Sequence, residues 1–161
     1  MIIKVDDKTN SAKMLYYQSL ALLFLPCEKF GVDCDDNKMF VKAFEQEGKY
    51  FVKVSLIVGQ NHAECCMDEP VRANAFSQMK NLIGRTILCA FYKIFQRKPA
   101  WGISTGVKPV KLAKTIRDYF PNENLESVLT NDYAILKQKA RLTCDALSFE
   151  DKVLESMPDN P

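Results

Sequence analysis

The residues best suited to thiol or metal chemistry in this 161-residue chain are six cysteines, Cys27, Cys34, Cys65, Cys66, Cys89 and Cys144, and one histidine, His62. Zinc and iron–sulfur sites draw on thiolates two or three residues apart, so that one turn presents them to the same ion. No two of these cysteines have C-x-x-C spacing. His62, Cys65, Cys66 and Cys34 are a set that a fold could gather around zinc. With one histidine and no second paired motif, the pattern favours small buried hydrophobes with reduced thiols instead. No metal, catalytic or cofactor-binding residue is expected from this set.

The other concentration of useful residues is Trp101-Gly102-Ile103-Ser104-Thr105-Gly106-Val107-Lys108-Pro109-Val110-Lys111. Its glycines allow positive φ or close backbone approach, Thr105 offers a helix cap, and Pro109 suits a first helical turn. One reading is a rigid helix entry anchored by a largely buried Trp101. The other is an anion site, since free N–H groups at a helix start beside Lys108 and Lys111 suit a phosphate or carboxylate. The Gly102-to-Gly106 spacing is not that of a P-loop. Lys111 and Lys114 lie opposite Leu112 and Ile116 on a helix, which reads as a solvated face.

The elements that must hold these residues follow from the hydrophobic period. Met1–Val5 is β-prone, and Asn10 or Ser11 would cap a helix to about Leu25, with Met14, Tyr17, Ala21 and Phe24 as its apolar stripe. Tyr50, Val52, Val54, Leu56 and Val58 alternate with their neighbours as a half-buried strand requires. Met39–Gln46 precedes it across a turn at Glu47-Gly48, and Ala63–Met67 follows the turn at Gly59-Gln60-Asn61, giving an antiparallel meander. Asp68-Glu69-Pro70 reads as the start of a long helix to Phe95, with Phe76, Met79, Ile83, Ile87, Ala90 and Ile94 at helical spacing. Helices also follow from Val107, near Leu125–Leu129 and over Asn131–Leu147. The expected fold is α+β: an antiparallel sheet covered by a long helix, with a helical C-terminal third. Residues 1–155 read as one domain and 156–161 as the start of a linker.

A net charge of +2 gives no broad field for nucleic acid, although a local basic patch remains open. The longest uncharged run, between Lys13 and Glu28, falls short of the ~18–20 apolar residues of a membrane span. Asp6 and Asp7 spoil a signal peptide, so a cytoplasmic chain is expected, with neither nucleic acid nor membrane as partner.

Trp101, Gly102, Thr105, Gly106, Pro109 and Lys111 match a W-G-x-x-T-G-x-R-P-x-K signature, and the segment resembles that of HemZ-type radical-SAM proteins, the oxygen-independent coproporphyrinogen III oxidases. Lys108 stands where arginine is usual, keeping the charge but losing bidentate geometry. The resemblance implies an N-terminal accessory domain ahead of a radical-SAM barrel of the same polypeptide, in heme biosynthesis. That barrel would carry a [4Fe–4S] cluster on a C-x-x-x-C-x-x-C motif, bind S-adenosylmethionine and decarboxylate propionates oxidatively. The triplet is absent here, so this chain is expected to be an inactive part of the longer protein, holding neither cofactor. A small anion- or nucleotide-binding module and a protein-interaction domain are the alternatives.

Overall fold

The computed structural model describes residues 1–31, 36–72, 77–106 and 108–156, which divide into two compact units, Met1–Pro99 and a second starting at Ala100. The expected contribution of Phe76, the placement of Cys34 and Val107, and the linker reading at 157–161 lie outside the described residues.

The first unit runs β1 (Ile2–Asp7), α1 (Met14–Leu22), β2 (Asn37–Gln46), β3 (Lys49–Val58), β4 (Asn61–Pro70) and α2 (Gln78–Phe95). The fold is α+β, and its sheet has the order β1-β2-β3-β4. Strands β2 to β4 form the expected antiparallel meander, while β1 adds in parallel to β2 and makes the sheet mixed. Two-residue connections suit a right-twisted hairpin when both residues take positive φ. Glu47 (φ 51°) and Gly48 (φ 71°) do so between β2 and β3.

Alternation sends Met39, Val41 and Ala43, then Val52, Val54 and Leu56, to one buried face. That face meets α2, whose Leu82, Ile83, Ile87, Ala90 and Phe91 are buried. Phe24, just after α1, stacks on Phe91 with ring centroids 4.6 Å apart. Tyr17, Ala21 and Phe24 are buried as the apolar stripe predicts, but Met14 is exposed. The cap lies at Lys13, without a side-chain hydrogen bond, instead of at Asn10 or Ser11. Ser11 N–H donates to Asp7 Oδ2 (2.9 Å), so the Asp7 carboxylate organises the turn before α1. Tyr17 is buried with its hydroxyl toward that carboxylate, and burial first, then Asp7, pushes the phenol's pKa up.

Asp68-Glu69-Pro70 does not open a helix. Lys49, Tyr50 and Phe51 continue the β3 ladder opposite these residues, and pairing overrides their local helix-start character. Glu69 there forms ion pairs with Arg72 and Arg85, and Gln78 donates to the Pro70 carbonyl (2.8 Å) at the start of α2. Cys65 of β4 and Cys89 of α2 are joined by a disulfide, with Cα atoms 6.3 Å apart, against the expectation of reduced, merely packed cysteines.

The second unit is helical where described: α3 (Pro109–Tyr119), α4 (Leu125–Asn131) and α5 (Lys137–Ser156). Helix α4 falls where expected, capped by Asn124 Oδ1 accepting from Ser127 N–H (2.9 Å), but Asn131-Asp132-Tyr133 ends it and does not open the last helix, which starts at Lys137. Ile116, Leu129, Ile135, Ala140 and Leu147 are buried. Arg117 of α3 grips Asp151 of α5 with both terminal nitrogens. No helix among the described residues is long and apolar enough to cross a membrane.

Two predictions follow from these connections. Glu47 sits in the left-handed region, which costs a side chain with a Cβ roughly 1–2 kcal/mol but is visited readily by asparagine. Glu47→Asn should therefore raise the free energy of unfolding by up to about 1 kcal/mol in urea titrations. The Arg117 guanidinium holds the Asp151 carboxyl below the ordinary aspartate value. Its contribution is present above the unfolded pKa of about 3.9 and is lost as pH falls through the lower folded value. Thermal melts should show a loss below about pH 4 that Asp151→Asn lacks; identical acid profiles would show that the pair adds nothing.

Candidate functional site

The segment from Trp101 to Lys111 is held mainly through its own backbone. Ser104 N–H bonds to the Trp101 carbonyl (3.0 Å) and Thr105 N–H to that of Ile103 (2.9 Å), closing two tight turns in succession. The stretch between α4 and α5 then grips it from outside: Ile103 N–H donates to the Tyr133 carbonyl (2.9 Å), and Leu136 N–H donates to that of Ala100 (3.1 Å).

These crossings explain Gly102. Its φ is +53°, and a Cβ there would lie 2.0 Å from the Tyr133 carbonyl oxygen and 2.5 Å from backbone atoms of Ala134. No side chain fits without displacing that backbone. Gly106 also has positive φ (+70°), but a Cβ on it would meet nothing within 4 Å. The two glycines of the motif thus serve different ends, close approach in one case and dihedral freedom alone in the other.

Trp101 is half-buried, short of the expected large burial, and the Lys139 Nζ lies over its ring, 5.5 Å from the centroid. Pro109 is the first residue of α3, as expected. Thr105 does not cap it: the cap position is Lys108, in extended conformation and without a side-chain bond. Lys108 and Lys111 are both exposed, at the positive end of a helix whose first turn has no acidic residue. Cations are unfavourable there by a few tenths of a kcal/mol to about 1 kcal/mol each. The Ser104 hydroxyl is buried with no hydrogen-bond partner among the described residues.

Of the four residues weighed as a zinc set, Cys34 lies outside the described residues, and His62, Cys65 and Cys66 form no ligand group. Cys65 is committed to Cys89 and points into the core, while its neighbours in the chain, Glu64 and Cys66, point to the opposite face of β4. No group of three His, Cys, Asp or Glu side chains gathers among the described residues. What the sequence reading passed over is that opposite face of the sheet, where Lys38, Phe40, Lys42 and Phe44 share one side of β2. The lysine–phenylalanine alternation is visible in the sequence, where Met39–Gln46 reads only as the strand paired with Tyr50–Val58.

The glycine geometry gives a direct comparison. Gly102→Ala should destabilise by more than about 2 kcal/mol, since the left-handed cost adds to displacement of the crossing backbone, whereas Gly106→Ala should lose only about 1–2 kcal/mol. Urea unfolding of both variants checks this, and equal losses would exclude the crossing as the reason for Gly102. Neither a family model, nor a curated protein, nor a solved structure matches the chain.

Proposed function

We propose that this chain is the accessory, non-catalytic part of a radical-SAM protein of the oxygen-independent coproporphyrinogen III oxidase type, acting in the cytoplasm in heme biosynthesis. The observation that carries this reading is the match of Trp101, Gly102, Thr105, Gly106, Pro109 and Lys111 to the W-G-x-x-T-G-x-R-P-x-K signature. Its catalytic partner is a radical-SAM barrel of the same polypeptide, which supplies the [4Fe–4S] cluster and S-adenosylmethionine chemistry. Among the described residues no ligand set for the cluster gathers: Cys65 and Cys89 are bonded to each other, and neither Cys27, Cys66 nor Cys144 belongs to a group of three His, Cys, Asp or Glu side chains.

Leu142, Phe149 and Val153 fall at helical repeats on α5 and stand exposed. Surface of this kind favours docking on another protein face, and within this reading it packs on the barrel. An anion held at the start of α3 is the second reading, favoured by Lys108 and Lys111 at the positive end of a helix without a first-turn acid.

Anaerobic treatment of the chain with iron and sulfide should yield neither a stoichiometric cluster nor S-adenosylmethionine cleavage. Mixed with a coproporphyrinogen oxidase barrel, the chain should co-elute, and Phe149→Glu should abolish co-elution without lowering the melting temperature. Failure of the parent chain to co-elute, or cluster-dependent cleavage by the chain alone, would overturn the proposal. Loss of co-elution on Lys108→Ala and Lys111→Ala, with Phe149→Glu still bound, would transfer the contact to the start of α3.

A further inference from the structure

The sheet face turned away from the α2-covered core carries a pattern that packing does not explain. On β2, lysine and phenyl ring alternate along this face as Lys38, Phe40, Lys42 and Phe44. Phe40 is 37% exposed, and Lys42 is exposed. Phe51 of β3 stacks on Phe44, with centroids 5.4 Å apart and planes 16° from parallel. From the other side, β1 sets Lys4 opposite Phe40, its Nζ 5.9 Å from the ring centroid.

The charges on this face are not balanced. Lys42 and Lys53 are direct partners across β2 and β3, and like charges so placed destabilise a sheet. Lys53 is partly offset by Glu64 at 3.3 Å. Lys4 and Lys42 instead rest over phenyl rings, and no ion pair holds either of them or Lys38 among the described residues. With Lys49, the face presents five lysines against three acids, Asp6, Glu64 and Asp68. Lys4, Phe40, Lys42, Lys53 and Ser55 border a shallow recess of about 270 Å³, with Asp6, opposite Lys42 on β1, as its one acid among the described residues.

We propose that this open face binds single-stranded nucleic acid. Rings standing on a sheet accept the faces of unstacked bases, while flanking lysines follow the phosphates. Exposed rings on a four-stranded sheet are the means by which one class of RNA-binding module holds its bases. A duplex offers no free base faces, and an acidic peptide would need the lysines but gives no role to rings alternating with them. The whole-chain charge of +2 is no obstacle, because the excess is concentrated on one face. This inference stands independently of the radical-SAM reading.

The test is fluorescence anisotropy of the full chain with labelled oligo-dT and oligo-U of about 12 nucleotides, a length within the range of single-strand sites. Both should bind, more weakly as salt rises. Phe40→Ala and Phe44→Ala should each weaken binding about fivefold or more, and Phe44→Tyr should keep it. Lys42→Gln, on the exposed surface, should preserve the melting temperature and reduce the log–log salt slope by about 0.7. Absence of binding would overturn the proposal. So would folded Phe→Ala variants that bind like the parent, or duplex DNA or polyglutamate held as tightly as the oligonucleotides.

Discussion

The first unit depends on the register of β2, β3 and β4. Because side chains alternate along a strand, a slip of one residue exchanges the two faces of a sheet completely. Here that slip would send Phe51, Lys53 and Ser55 inward and bring Val52, Val54 and Leu56 out. Each aliphatic side chain so exposed forfeits about 1.5–3 kcal/mol, and each lysine driven inward adds a desolvation penalty. Short reversals at Glu47-Gly48 and Gly59-Gln60 set the offset between neighbouring strands. The buried core and the lysine-and-ring surface are therefore two readings of one register, and neither can change without the other.

How much of this was legible varies with how local the cause is. Strand β3 could be read because Tyr50, Val52, Val54, Leu56 and Val58 recur at a period of two, with Lys53 and Ser55 between them, and the meander followed from turn chemistry beside it. The parallel pairing of β1 left no local trace: it arises from contact with a strand far along the chain, and Met1–Val5 reads the same whichever partner it finds. Asp68-Glu69-Pro70 misled because its local chemistry does suit a helix start, while the ladder that overrides it belongs to β3. The Cys65–Cys89 bond and the Arg117–Asp151 pair join residues 24 and 34 positions apart, a distance over which spacing carries no signal.

The same division runs through the candidate site. That Gly102 and Gly106 take positive φ could be inferred from their place before a helix. That Gly102 lies beneath the backbone of Tyr133 and Ala134 could not, since nothing near either segment encodes the crossing. Glycine and proline set the path of the segment, whereas the Lys108 side chain makes no capping bond and both Lys108 and Lys111 carry charge against the helix dipole. Residues that give shape and residues that give charge are thus interleaved in one short stretch, so resemblance over the whole motif mixes two different constraints.

Strand order also decides how the sheet meets other molecules along its margins. An outermost strand presents backbone donors and acceptors that could recruit a strand from another chain. Strand β4 occupies one margin, and it carries Glu64, Asp68 and Glu69 before ending in Pro70, which has no N–H to offer. At the other margin β1 is short and places Lys4 and Asp6 among its apolar residues. Charge, brevity and proline together discourage sheet-to-sheet growth, leaving the face turned away from α2 as the part of the sheet open to a partner.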